Sequence, residues 1–154
     1  MLIPVAAPGL SEREIAQKVS TFLARLFVYT PDKLTERDPE DYWRSRSEIA
    51  EQIRSGELHD DCDGHAFAAV YGLADHGIRA RVVLCWTEPG SGANPYHAVC
   101  ETEKGYVLDN RFPGQVLSWA DEPLCLYARD RMSGFFEFGE VAQWHSIKRE
   151  ENQA

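Results

Sequence analysis

The stretch of residues 60–70 constrains the fold of this chain more than any other part of the sequence. Acidic residues surround a cysteine at its start, and small and apolar side chains follow, in the order DDCDGHAFAAV. The apolar residues recur at the spacing of one helical face, at Phe67, Val70, Leu73 and Ala74. Gly77 then supplies a C-terminal stop signal. The pattern therefore predicts a helix of about four turns that begins at Cys62.

A cysteine in the first turn of a helix has a chemical consequence. Unpaired N–H groups and the positive end of the helix dipole favour an anion there. We therefore expect the Cys62 thiol to ionise more easily than a free cysteine and to act as a nucleophile. The alternative interpretation is a buried structural cysteine, because free cysteine is one of the most buried residue types.

Composition limits the classes of protein to which the chain can belong. Its 154 residues carry a net charge of −9, and 44% of them are hydrophobic, as in one ordinary globular domain. No basic cluster and no apolar run of about 18 residues occurs, so we expect neither nucleic acid nor a membrane as a partner. The amino-terminal residues lack the features of a signal peptide. This predicts a cytoplasmic protein, or a periplasmic or exported one if a signal was removed.

The cysteines do not follow the spacing of a disulfide framework or of a zinc ribbon. Three of them fall in apolar, strand-like segments and are interpreted as small core residues, namely Cys85, Cys100 and Cys125. A zinc enzyme is a weaker alternative, because the spacing of the available ligands matches no known site pattern. Those ligands are Cys62, His65, Cys85, His97 and Cys100. We interpret His65 as a mainly structural residue.

Helices are predicted in the first half of the chain and strands in the second. Ser11 and Glu14 form a capping box that starts a helix over residues 11–28. Pro39 starts a second helix, which runs from residue 38 to residue 54. A hydrophobic period of two then predicts strands over residues 78–86, 96–101 and 105–110, a short edge piece at 115–117, and later strands at 124–127 and 143–147. This order predicts a single α+β domain over residues 1–154, with a core of about 11–147 and an antiparallel sheet.

Two polar residues stand at the ends of predicted neighbouring strands. His97 begins a strand directly after the Gly- and Pro-containing loop of residues 88–95, and Asp109 ends the next strand. If residues 102–104 form a three-residue hairpin loop, His97 and Asp109 lie directly opposite each other, with Cβ atoms about 5 Å apart. A two-residue loop would instead place Asp109 opposite Ala98.

Cys62, His97 and Asp109 together suggest a catalytic triad. Taken alone, His97 is more often an ordinary surface or core histidine, and Asp109 is more often a turn or cap residue. As a set they have the composition of a nucleophile, a base and an orienting carboxylate. We therefore predict that His97 takes the thiol proton and that Asp109 holds the imidazole in the required tautomer.

The segments that contain these residues resemble the transglutaminase-like cysteine peptidase family of bacteria, relatives of the periplasmic proteases that clip biofilm adhesins. The resembling segments are DCDGHA at 61–66, HAV at 97–99 and LDN at 108–110, with weaker matches at 41–43, 47–48, 132–134 and Trp144. The resemblance covers about residues 11–147. It implies a papain-like fold, in which a helix that carries the cysteine packs on an antiparallel sheet that carries the histidine and the aspartate.

The resemblance also implies an activity and a set of accessory groups. It implies a thiol hydrolase of peptide or amide bonds, with a protein or peptide substrate and no required cofactor. For the oxyanion or the substrate, the residues themselves offer the Cys62 backbone N–H and, as further candidates, Tyr42, Trp43 and Asn110. The alternative interpretation of Trp43 is a core residue. Some members bind calcium beside the cysteine, which implies a calcium site at Asp61 and Asp63.

The chain departs from the family pattern at two positions beside the cysteine. Asp60 stands where members often have glycine, and Gly64 stands where they often have a second acidic residue.

Two other functions are compatible with the same residues. A primary amine in place of water would make the protein an acyltransferase or transglutaminase that uses the same triad. A papain-like scaffold without catalysis would make it a binding module. The sequence makes no prediction of the oligomeric state.

Overall fold

The computed structural model describes residues 2–5, 8–31, 44–85, 97–121 and 129–131. Helix α1 spans Glu12–Leu26, and the predicted capping box at its start is present. The Glu14 N–H donates to Ser11 Oγ at 3.2 Å, and the Ser11 N–H donates to the Glu14 carboxylate at 3.3 Å. The predicted end of the helix at residue 28 is wrong, because Phe27–Tyr29 is extended and forms strand β1.

Helix α2 spans Arg46–Ser55, a shorter and later segment than the sequence predicts. The predicted start at residues 38 and 39 lies outside the described residues. The helix begins after Ser45, whose backbone is extended and whose hydroxyl accepts the Glu48 N–H in a second capping box. Gly56, with φ 96°, ends the helix close to the predicted position.

Strand β2, Leu58–Asp60, pairs in parallel with β1 and leads into the third helix. Helix α3 spans Cys62–Ala74, which confirms the predicted start. The sequence predicts one apolar face, but every residue from Gly64 to Ala74 is buried. The reason is that α3 contacts α1, α2 and the β-sheet at once, and a helix enclosed in this way is buried all round.

The described residues of the second half of the chain form a four-stranded antiparallel sheet. Its strands are β3 (Ala80–Cys85), β4 (His97–Thr102), β5 (Val107–Leu108) and β6 (Arg129–Arg131), in the order β5-β4-β3-β6. The predicted antiparallel sheet is confirmed, and Leu117 of the predicted edge piece bridges to Val107. The strands predicted at 124–127 and 143–147 lie outside the described residues, as does the loop of residues 88–95. The described elements are those of an α+β protein.

Both faces of this sheet are buried. One face joins the core that α1 and α3 form, through Ala80, Val82, Ala98, Cys100 and Leu108. The other face carries a second cluster, of Val83, Cys85, Val99 and Val107, against which Phe112, Leu117 and Trp119 pack. Cys85 and Cys100 are therefore core residues, as predicted, and Cys125 lies outside the described residues. None of the described helices is long and apolar enough to cross a membrane.

The hairpin between β4 and β5 differs from the prediction in position. Its loop is 103–105 rather than 102–104, because Gly105 adopts φ 91°, a left-handed conformation that favours glycine. Glu101 consequently pairs with Val107. The predicted register, with Glu101 opposite Gly105, is wrong by two residues. A shift of two residues leaves every side chain on its predicted face of the sheet, whereas a shift of one would not.

Candidate active site

Cys62 is the first residue of α3, and the Asp61 side chain caps this helix. Asp61 Oδ1 accepts the N–H of Asp63 at 3.1 Å and that of Gly64 at 3.4 Å. The partly buried Cys62 sulfur accepts a hydrogen bond from the backbone N–H of Ala98. The start of α3 and the start of β4 therefore meet at the sulfur atom.

Gly64 allows the Asp60 side chain to lie against the start of α3. A Cβ atom at residue 64 would lie 1.9 Å from Asp60 Cγ, so the Asp60 side chain occupies the space that a side chain there would need. The buried Asp60 carboxylate accepts the Asp61 N–H at 2.9 Å and an Arg44 N–H at 3.3 Å. Residues 60 and 64 therefore share one and the same space.

The Cys62 thiol is harder to ionise than the sequence predicts. Burial raises its pKa, and the negative charges of Asp63 and Asp61 raise it further, while the Ala98 N–H acts in the opposite direction. The thiol also donates to Asp63 Oδ1 at 3.7 Å, which favours the protonated form. The expectation of an easily ionised thiol is therefore wrong for the resting site, because burial and two carboxylates outweigh the helix start.

His97 and Asp109 form a buried hydrogen-bonded pair. His97 Nε2 lies 2.9 Å from Asp109 Oδ1, and the two side chains are 8% and 0% exposed. An ionised carboxylate only accepts hydrogen bonds, so Nε2 carries a proton, and in the neutral ring Nδ1 is the nitrogen that keeps its lone pair. The structure thus brings the predicted base and its carboxylate together and leaves Nδ1 to accept a proton.

His97 is predicted to take the proton of the Cys62 thiol, which requires the two side chains to come into contact. His97 directly precedes Ala98, whose N–H reaches the sulfur, so the two candidate residues lie at neighbouring points of the site. A hydrogen bond between the thiol and His97 is not among the contacts of the described residues; the thiol donates to Asp63. Proton transfer from sulfur to Nδ1 therefore requires the thiol to turn away from Asp63.

Arg111 binds the same Asp109 carboxylate as His97. Its Nη2 and Nε lie 2.7 and 3.1 Å from Asp109 Oδ2, and its backbone N–H donates to Oδ1 at 3.0 Å. Burial opposes ionisation of Asp109, but the hydrogen bonds from His97 and Arg111 outweigh it and lower the pKa of the carboxyl to about 2. Asp109 is therefore ionised throughout the pH range in which an imidazole titrates.

His65 is a second buried imidazole beside this pair. It lies one turn after Cys62 on α3, is 5% exposed, and meets the ring of Phe27 edge-on with centroids 4.9 Å apart. Burial lowers the pKa of His65 to about 4; Asp109 acts in the opposite direction, and His97 adds to the lowering. His65 is therefore neutral near pH 7, and it lies close enough to the pair to respond to its charges.

The candidate oxyanion and substrate residues are only partly placed. Tyr42 and Trp43 lie outside the described residues. Asn110 follows Asp109, and its buried side-chain oxygen has no hydrogen-bond partner within the described part of the chain. The Cys62 N–H, at the first position of α3, is a further donor, since first-turn N–H groups have no acceptor inside the helix.

Asp61 and Asp63, the residues expected to bind calcium, both form hydrogen bonds at the start of α3. Asp61 caps the helix and Asp63 accepts the thiol hydrogen bond. Across the described ranges, the side chains of His, Cys, Asp and Glu form no group of three or more that could hold a metal ion. The calcium site stays a prediction, which calorimetry with millimolar calcium chloride can test.

Sequence reasoning misses two parts of this site. Arg111 has a local signal, because it stands two residues after Asp109 and a buried carboxylate needs a partner. Ala98 has no such signal, since it acts through its backbone N–H, which every residue except proline carries.

Comparisons with known proteins do not place the chain in a family. No family model matches it, and no curated protein matches it either.

Proposed function

We propose that this protein is a thiol hydrolase of peptide or amide bonds, with Cys62 as nucleophile, His97 as base and Asp109 as orienting carboxylate. The observation that supports it best is the buried contact of 2.9 Å between His97 Nε2 and Asp109 Oδ1, next to the residue whose N–H reaches the Cys62 sulfur. A helix that begins with cysteine and packs on an antiparallel sheet is also the arrangement of the papain-like fold that the sequence resembles.

The reaction would begin with a neutral thiol. As the Cys62 sulfur attacks the carbonyl carbon, its proton passes to His97 Nδ1, and Asp109 stabilises the imidazolium through Nε2. The negative oxygen that forms is met by the Cys62 N–H and by one further donor. The carbon–nitrogen bond then breaks, the leaving amine takes the proton from His97, and a thioester remains on the sulfur.

Water completes the cycle. His97 takes a proton from a water molecule as the water oxygen attacks the thioester, and the sulfur leaves and is protonated again. The products are a carboxylic acid and the amine released earlier. Asp109 stays ionised throughout, because His97 and Arg111 hold the pKa of its carboxyl at about 2 in spite of burial.

A library of fluorogenic peptide amides tests the proposal. We expect turnover by the intact chain, loss of turnover in Cys62→Ala and His97→Ala, and a thioester on Cys62 detected by intact-mass measurement in the unchanged protein. Arg79→Gln is the matched control, because Arg79 forms an exposed ion pair with Glu103 at 3.5 Å. A labelled primary amine in the same assay separates hydrolysis from acyl transfer.

A binding module is the second candidate, and a specific observation favours it. The thiol donates to Asp63, and burial, together with the nearby carboxylates, raises its pKa, as for an unreactive cysteine. Under this alternative no library member acylates Cys62, and the His97→Ala variant reacts with a peptidyl epoxide at the rate of the unchanged protein. That pair of results would overturn the hydrolase.

A further inference from the structure

Asp109 has two cationic or potentially cationic partners rather than one. His97 Nε2 lies 2.9 Å from Oδ1, while Arg111 Nη2 and Nε lie 2.7 and 3.1 Å from Oδ2. The Arg111 backbone N–H also donates to Oδ1, at 3.0 Å. Both oxygens of the fully buried carboxylate therefore accept hydrogen bonds from Arg111.

We propose that Arg111 is a positioning residue that fixes the Asp109 carboxylate behind His97 and reduces the support that this carboxylate gives to the imidazolium. The inference rests on the proposed function for its kinetic consequence only. The planar guanidinium matches a carboxylate with two parallel hydrogen bonds, here from Nη2 to Oδ2 at 2.7 Å and from Nε to Oδ1 at 3.3 Å. Such a pair fixes the plane of the acceptor as well as its charge. The plane of the carboxylate, in turn, sets the direction in which His97 Nε2 points.

The electrostatic effect of Arg111 on His97 follows from the signs of the charges. An anion next to an imidazole favours the imidazolium, and a cation disfavours it. Arg111 places a permanent positive charge on the same carboxylate, with Nη2 2.7 Å from Oδ2, so His97 faces an ion pair in place of a bare carboxylate. The charge that acts on His97 therefore depends on Arg111 as well as on Asp109.

The other titratable groups near His97 are uncharged near pH 7. His65 on α3 interacts electrostatically with His97 and is neutral near pH 7, since burial lowers its pKa to about 4. Cys85 lies opposite His97 on β3 and donates to the His97 carbonyl at 3.7 Å, and the Cys62 thiol is protonated at rest because its pKa is raised. Asp109 is thus the charged group that His97 contacts, and Arg111 binds the same carboxylate.

Replacement of Arg111 by glutamine and by lysine separates its electrostatic effect on His97 from its positioning of the Asp109 carboxylate. The titration of the His97 ring is followed by NMR in the intact, isotope-labelled chain, with the signal assigned by its loss in His97→Gln. We expect Arg111→Gln to raise the titration midpoint by about one pH unit. The acid limb of the kcat/KM profile should move to higher pH by the same amount. Arg79→Gln removes the same charge from an exposed site and should change neither measurement.

Lysine keeps the charge and loses the two parallel hydrogen bonds. We expect Arg111→Lys to keep a titration midpoint close to that of the unchanged protein while kcat falls several-fold, because the carboxylate is no longer held in one plane. This second variant also keeps the test decisive if Arg111→Gln does not fold. An unchanged midpoint in folded Arg111→Gln, or an unchanged kcat in Arg111→Lys, would overturn the inference. A shifted midpoint in a chain without turnover would contradict the hydrolase and leave the effect of Arg111 on His97 intact.

Discussion

His97 and Asp109 meet diagonally across two strands, not directly. The register of β4 and β5, continued by one pair, places Asp109 opposite Val99, yet its carboxylate lies 2.9 Å from His97 Nε2. Diagonal neighbours on one face have Cα atoms roughly 7–8 Å apart, which longer side chains can span. Both side chains must therefore lean along the strands, and a second contact that holds Asp109 in this direction, such as the one from Arg111, gains importance.

Asp109→Asn should abolish most of the activity and also weaken the fold. A neutral amide cannot accept the hydrogen bonds of both His97 and Arg111, and it leaves a guanidinium without its counter-charge. We expect kcat/KM to fall by about 10⁴ and the free energy of unfolding to fall by about 3 kcal/mol. Enzyme kinetics and urea denaturation measure the two effects. Asp121→Asn is the control, because Asp121 is exposed, and activity retained within about tenfold in Asp109→Asn would contradict the orienting role.

Alkylation of Cys62 should be slow near neutral pH and should rise steeply as the pH increases. The thiolate reacts, and burial with the charges of Asp63 and Asp61 raises the thiol pKa. Asp63→Asn removes one of those charges and should shift the rate profile toward lower pH. The rate of iodoacetamide labelling at Cys62, followed by peptide mass spectrometry, measures this. Glu57→Gln is the control for loss of an exposed carboxylate. Rapid labelling that does not depend on pH would contradict the protonated resting state.

The sequence predicts those features whose signals are local, and it fails where the outcome depends on distant partners. The capping box at Ser11 and the start of α3 at Cys62 are set by neighbouring residues, and both are found. The parallel pair of β1 and β2 is missed, because strands of three residues show no periodicity and are held by pairing with each other.

The same distinction applies to the site. The face shared by His97 and Asp109 follows from a period of two, which survives the shift in register caused by Gly105. The thiol pKa could not be predicted, because it depends on how deeply α3 is enclosed and on where the carboxylates of Asp61 and Asp63 point.

Stability should fall on acidification in two separate steps, and His65 accounts for the first. Burial lowers the pKa of His65 from 6.5 to about 4. Between these pH values the unfolded chain therefore binds a proton at His65 and the folded chain does not. Stability is therefore complete above pH 6.5 and is lost as the pH falls toward 4, by about 3 kcal/mol. Asp109, ionised down to about pH 2 despite burial, acts in the next window, from 3.8 to about 2.

Replacement of His65 by glutamine isolates the first step. Glutamine does not titrate, so the loss of stability between pH 6.5 and 4 should shrink, even if the new side chain packs less well and stability is lower at every pH. Urea denaturation of both proteins at several pH values measures the slope. His59→Gln is the control, because His59 is exposed and pairs with Glu57 at 3.0 Å. An equal slope in His65→Gln and the unchanged protein would show that His65 titrates normally.

Asp60 and Gly64 should be coupled in stability, because one side chain fills the space that the other lacks. A Cβ at residue 64 would lie 1.9 Å from Asp60 Cγ, so Gly64→Ala should cost roughly 1–3 kcal/mol through overpacking. Asp60→Ala should also destabilise, since its carboxylate accepts N–H groups of Asp61 and Arg44. The double variant lacks the Asp60 carboxylate that would clash with the new Cβ at residue 64. Its loss of unfolding free energy should therefore be smaller than the sum of the losses in the two single variants.

A double-mutant cycle by urea denaturation measures this coupling. We expect a coupling free energy of about 1 kcal/mol or more in favour of the double variant, whereas values that add within about 0.5 kcal/mol would contradict it. Gly56→Ala combined with Asp60→Ala is the control, because nothing lies within 4 Å of a Cβ at Gly56, and these two changes should add. A positive result would show that a side chain at residue 60 and one at residue 64 compete for the same space.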